Sequence, residues 1–202
     1  MFIEQPPNIV RWIYPKAIWR MNPNERKVYL TFDDGPIPGI TPWVLDLLDK
    51  YKIKATFFLV GDNVRKHKEE FDMIVRRGHR VGNHTYNHVR GFSDKAPQYI
   101  ENVKKADELI HSDLFRPPHG YMGWRQYHTL CKQYRIIMWD LVTRDYSRRL
   151  NGKQVFEKLK KYVRNGSIIT FHDSLKSEKN LKYALPRSIE WMIEQGYSFG
   201  TL

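Results

Sequence analysis

At 202 residues, with 41% hydrophobic and 28% charged positions, the chain is long enough to bury one substantial core and has the balance of a globular protein. No apolar run approaches the ~20 residues of a membrane-spanning helix, and Met1-Phe2-Ile3-Glu4-Gln5-Pro6-Pro7 lacks the basic-then-apolar order of a signal peptide, so the expected location is cytoplasmic or membrane-peripheral. A net charge of +12 predicts attraction to polyanions, but Lys and Arg are scattered and no nucleic-acid module pattern appears, so a solvated basic surface without a specific nucleic-acid site is expected.

Residues 1–26 mix aromatics with arginine, as in Arg11-Trp12-Ile13-Tyr14 and Ile18-Trp19-Arg20. They read as an N-terminal extension packed over the core, with a composition that also permits peripheral contact with an anionic membrane. From residue 27 to 202 a single domain alternates β-rich runs with amphipathic helical ones. The first strand, Lys27–Phe32, ends in Asp33-Asp34-Gly35-Pro36. A helix follows with Thr41 as N-cap and Pro42 at its first position, running to Tyr51. Ala55–Val60 is a near-continuous apolar strand of the kind buried on both faces. A helix over Lys68–Arg77 stops at Gly78. The third strand is His79–Asn83, followed by a helix over Pro97–Ser112. A short fourth strand, Leu114–Arg116, leads to a helix over Trp124–Tyr134. The fifth strand spans Arg135–Trp139, with a helix over Gln154–Val163 after it. The sixth is Ser167–Phe171, and a last helix over Leu185–Gln195 precedes Tyr197-Ser198-Phe199. The lone Cys131 excludes an internal disulfide framework.

Seven strand-helix units predict a parallel sheet closed or nearly closed into a barrel, and such folds collect chemistry at the carboxyl ends of their strands. Five strand ends carry it: Asp33-Asp34 after the first, His84 and His88 after the third, Arg116 after the fourth, Asp140 and Asp145 after the fifth, and His172-Asp173 after the sixth. Adjacent carboxylates at a strand end project differently along the pleat, so one can hold a metal while the other handles a proton. His84 and His88, four apart, can meet one ion from a helical turn or tight loop. With Asp34 they form a three-ligand set that leaves a position for water or substrate, and a cation so held lowers the pKa of its water toward ~7 and polarises a carbonyl.

Thr31-Phe32-Asp33-Asp34-Gly35-Pro36, His84 to His88, Arg116-Pro117-Pro118 and Phe171-His172-Asp173 together resemble, in order and spacing, the motifs of NodB-like polysaccharide deacetylases, carbohydrate esterase family 4. The resemblance covers Lys27 to the C-terminus. It implies a distorted (β/α)7-type barrel and metal-dependent removal of N- or O-acetyl groups from a sugar or glycan. It further implies Asp33 as general base, Asp34, His84 and His88 as ligands of a divalent metal (zinc, with cobalt or nickel as alternatives), His172 as general acid, Arg116 orienting Asp33, and Asp145 raising the pKa of His172.

The chain departs from the family pattern at four places. Val142 stands where the first Asp of Asp-x-x-Asp-Trp is usual, and Tyr146 replaces that Trp. His119 follows Arg-Pro-Pro in place of Tyr, and Thr170 stands where a Leu lines the acetyl pocket. These changes bear on substrate more than on reaction type. Two other readings stay open: a metal-dependent hydrolase of a different amide, such as a cyclic imide or formamide, and a non-catalytic glycan- or polyanion-binding protein with a vestigial site.

Overall fold

The computed structural model describes residues 4–92 and 95–202. Its strands are β1 (Lys27–Asp33), β2 (Thr56–Leu59), β3 (Arg80–Asn83), β4 (Leu114–Phe115), β5 (Arg135–Ile136), β6 (Leu141–Val142), β7 (Ile168–His172) and β8 (Ser198–Phe199). They pair in parallel in the order β5-β4-β3-β2-β1-β7-β6, with β8 added beside β1. Helices α1 (Asn8–Ile13), α2 (Thr41–Lys50), α3 (Gly61–Lys66), α4 (Lys68–Arg76), α5 (Ala96–Ile110), α6 (Trp124–Leu130), α7 (Gly152–Tyr162) and α8 (Glu178–Glu194) complete the alternation. This is the distorted (β/α)7 barrel expected from the strand-helix repeat.

The barrel is open on one side, since among the described residues no ladder joins β5 to β6. The N-terminal segment runs through that seam. Ile18 bridges Ile137 and Arg20 bridges Ser167, while Tyr14, Ala17 and Trp19 are buried against Phe115, Tyr127 and Ile136.

The pleat of β1 sorts its side chains into two environments. Val28, Leu30 and Phe32 pack outward against Val44, Leu45 and Leu48 of α2 and Leu185 and Ile189 of α8. Tyr29, with Phe58, Leu114, Ile137 and Ile168, forms the apolar floor of the barrel. Thr31 and then Asp33 lie above that floor on the same side of the strand, by the period-2 rule. Register sets Asp33 beside His172, and Asn83 beside both Leu59 and Phe115, so the ends of β1, β3, β4 and β7 come together.

Four expectations are corrected. The fifth strand is shorter than Arg135–Trp139, and the two-residue β6 follows it, so Asp140 precedes a strand instead of ending one. The last helix begins at Glu178, seven residues before Leu185, and continues through Pro186. Leu181, Leu185, Ser188, Ile189 and Met192 bury one continuous face, and that packing outweighs the lost backbone bond at proline. Thr41 is the first residue of α2, not its cap; its hydroxyl accepts from the Ile37 N–H and donates to Asp173. Finally, α1 and α3 are helices that the periodicity did not single out.

Candidate metal and catalytic site

Asp34 follows β1 directly and adopts φ +81°. The Asn63 amide of α3 holds its carbonyl at 2.7 Å. His84 follows β3, and His88 lies four residues on in a loop with Thr85 and His88 at positive φ. The three side chains converge: Asp34 Oδ1 lies 3.2 Å from His88 Nε2 and 3.8 Å from His84 Nε2, and all three potential donor atoms fall within 4.8 Å of one another. His84 Nδ1 donates to the Arg116 carbonyl at 2.7 Å, so Nε2 presents its lone pair toward Asp34. Two imidazole nitrogens and one carboxylate oxygen form a set suited to a divalent transition ion. Burial alone would raise the Asp34 carboxyl, but the His88 hydrogen bond and the nearby imidazoles outweigh it and hold the group well below the ordinary carboxylate range. Burial pushes His84 down to about 4, against the pull of Asp33, so its ring is neutral at pH 7 and available as a ligand.

Arg116 is completely buried beneath the site. Its Nη1 donates to Asp33 Oδ1 at 2.6 Å, to Thr31 Oγ1 at 2.8 Å and to Thr170 Oγ1 at 3.1 Å, while Nη2 and Nε reach the Met138 and Ile137 carbonyls. The guanidinium also lies over the Phe58 ring, 4.1 Å from its centroid. An Arg before a Pro-Pro bend also has a surface reading; here its planar fork is used on every side and fixes the Asp33 carboxylate.

His172 ends β7 next to Asp33. Its Nδ1 donates to Asp145 Oδ1 at 2.8 Å, and its backbone N–H donates to Asp145 Oδ2, also at 2.8 Å. Burial by itself would lower the ring. The Asp145 carboxylate, helped by Asp34 and Asp33, instead raises it to about 9 and keeps it charged at neutral pH. Asn180 of α8 donates to the Asp145 carbonyl at 2.8 Å, which fixes the segment after β6.

The structure thus brings Asp33, Asp34, His84, His88, Arg116, Asp145 and His172 together, and it excludes Asp140. That residue is buried before β6, where Arg11, Arg164 and Ser167 donate to it. The four departures take distinct places. Tyr146 presents an edge to His172, with ring centroids 4.7 Å apart, and His119 packs on His88 at 4.8 Å, its ring lowered to about 4 by burial and by the charges of His88 and Arg90. Thr170 serves Arg116, and Val142 is buried within β6.

Asp173, Thr41 and Gly35 form a support whose role the sequence did not show. Asp173 accepts from the Thr41 hydroxyl at 2.5 Å and the Gly35 N–H at 3.2 Å. Burial raises its carboxyl to about 8, though the Thr41 bond opposes this. A methyl group on Gly35 would overlap that carboxylate. The motif signalled both residues, but their contact spans 138 positions. Five residues around the site, Asp34, Thr85, His88, His119 and Arg144, hold positive φ without being glycine, the kind of backbone strain that concentrates at functional loops.

Among known proteins, a family described as polysaccharide deacetylase matches residues 20–133. A peptidoglycan-N-acetylglucosamine deacetylase of Bacillus cereus is 33% identical over 91% of this chain and 90% of its own length. The peptidoglycan-N-acetylmuramic acid deacetylase PdaC of Bacillus subtilis is 28% identical over 90% of this chain but 39% of its own length. The crystal structure of a peptidoglycan N-acetylglucosamine deacetylase bound to 4-naphthalen-1-yl-N-oxidanyl-benzamide superposes with a TM-score of 0.89 at 27% identity, covering 95% of this chain and 94% of that one.

Proposed function

The chain belongs to the polysaccharide deacetylase family, a metal-dependent group of hydrolases, and from that premise we propose that its catalytic domain, residues 27–202, removes the N-acetyl group from an amino sugar of peptidoglycan. The observation that carries this reading is the placement of a buried Arg116–Asp33 pair, 2.6 Å apart, beside the Asp34-His84-His88 set. Its complement is the charged His172–Asp145 pair on the next strand. The peptidoglycan sugar is inferred from what the B. cereus relative is named for.

Asp34, His84 and His88 would hold the ion, with zinc the best match to two imidazoles and a carboxylate, and cobalt or nickel acceptable to the same donors. A divalent ion bound there activates water and polarises the acetyl carbonyl. The remaining work falls to the chain itself. Asp33, held by Arg116, takes the proton of the attacking water. His172, kept protonated by Asp145, returns a proton to the leaving amine, so that the sugar departs neutral. In the Pro118–Gly120 turn, the Gly120 and Tyr121 N–H groups are engaged by the Pro117 and Pro118 carbonyls and Pro118 has none, which leaves the His119 N–H to meet developing charge on the acetyl oxygen. Tyr146 and His119 wall the site where the family pattern has Trp and Tyr, and they are the positions that would tune substrate choice.

The test is acetate release from peptidoglycan fragments and chitooligosaccharides, with metal-free protein and protein supplied with Zn²⁺, Co²⁺ or Ni²⁺. Metal-stimulated turnover that falls about 10²- to 10⁴-fold in Asp33→Asn is expected. Failure of the protein to retain any of these ions, or equal turnover by Asp33→Asn, would overturn the assignment.

A further inference from the structure

Helix α1 is built inside out. Its apolar residues at i, i+3 and i+4, Ile9, Trp12 and Ile13, are 67%, 74% and 49% exposed, while its charged residue, Arg11, turns inward and donates to the buried Asp140 at 2.7 Å. Among the described residues nothing packs over the three apolar side chains, although Tyr14, Ala17 and Trp19, immediately after them, are buried. Folding against the barrel therefore explains the second half of the N-terminal segment and leaves the first half unexplained. A contiguous exposed group of Ile, Trp and Ile on one helix face marks a surface that meets something other than water.

The surroundings of that face say what it meets. The two acids along this edge, the buried Asp140 and the partly buried Glu4, are outnumbered by the bases that hold them: Arg144 and Lys158 on Glu4, and Arg11 and Arg164 on Asp140. Lys16, just past α1, is exposed, as is Lys161 beside Tyr162, whose carbonyl accepts from Gln5. The apolar face thus sits in an excess of positive charge. That excess opposes face-to-face pairing of two copies, which would bring like charges together. Aliphatic Ile9 and Ile13 have no part in gripping a nucleic-acid backbone, whereas an exposed Trp flanked by aliphatics and bordered by Lys and Arg is the composition that settles into the headgroup region of an anionic bilayer.

We propose that the exposed face of α1, formed by Ile9, Trp12 and Ile13 within a basic rim, docks the protein peripherally and reversibly on anionic lipid. This rests on the α1 face and the charges around it and is independent of the deacetylase reading. The test is sedimentation of the full chain with phosphatidylcholine vesicles and with vesicles containing phosphatidylglycerol, at rising salt. Binding to the anionic vesicles only, weakening as salt increases, is expected, with partitioning reduced at least about tenfold in Ile9→Ser/Trp12→Ser/Ile13→Ser. Because these side chains are exposed, the triple variant should keep the wild-type thermal midpoint and deacetylase rate. No binding to anionic vesicles, undiminished binding by the triple variant, or a wild-type dimer in light scattering that the triple variant abolishes would each overturn the proposal.

Discussion

Replacing Asp145 by Asn isolates the interaction that keeps His172 charged. Burial disfavours the imidazolium, yet the ring titrates at about 9, because Asp145 Oδ1 meets Nδ1 at 2.8 Å and Asp34 and Asp33 add to the negative field. Against an ordinary histidine at ~6.5, that elevation corresponds to about 3 kcal/mol in favour of the protonated ring. Asparagine preserves the size of the side chain and an oxygen for Nδ1 but removes the charge. Burial then dominates, and the expected midpoint falls to ~6.5 or below. Imidazole chemical shifts followed by NMR across pH would read this directly, and the alkaline limb of the rate-pH profile should move down with it. The sign for stability follows from the raised folded-state value: the pair stabilises fully below ~6.5, and that contribution is lost as pH rises through about 9. The variant should lose this part of the pH dependence of unfolding. A His172 midpoint near 9 in Asp145→Asn would refute the attribution to Asp145.

Arg116→Met should cost about 3–5 kcal/mol in denaturant unfolding, because it leaves Asp33 buried without its partner; a loss below about 1 kcal/mol would show that the carboxylate finds another. Gly35→Ala forces a methyl group onto Asp173, so a destabilisation of about 1–3 kcal/mol and weaker zinc retention in a chelator competition are expected, and unchanged values for both would show that the turn relaxes freely. His79 accepts the Ala55 N–H through Nδ1 and is pushed down to about 4, first by burial and then by Lys54. The unfolded chain therefore takes up that proton first as pH falls. Stability should be full above ~6.5 and decline toward pH 4, and His79→Phe should flatten that stretch of the melting profile.

The residues that the structure gathers at the candidate site were legible in the sequence because each closes a strand or lies in the loop just after one. An apolar, β-branched run ending in Asp33-Asp34-Gly35 states its own boundary, and parallel strands deliver such ends to one face whatever the helices between them do. Resemblance to a known motif order then assigned roles that spacing alone left open. What the sequence could not display were features created by contacts far apart in the chain. The two residues of β6 have no periodicity to detect, so Asp140 looked like a strand end until its register placed it before one. The expected last helix opened at Leu185, but a buried face extending back to Leu181 carries the helix from Glu178 through Pro186. The residues next to Arg116 did not show its burial; only closure of the barrel, with Thr31, Asp33 and Thr170 converging from two other strands, gave its guanidinium a set of acceptors that repays its desolvation. The sequence by itself determined which side chains could act. Tertiary structure decided which of them share a site, because a charge buried between strands is stable only where partners from several strands arrive together.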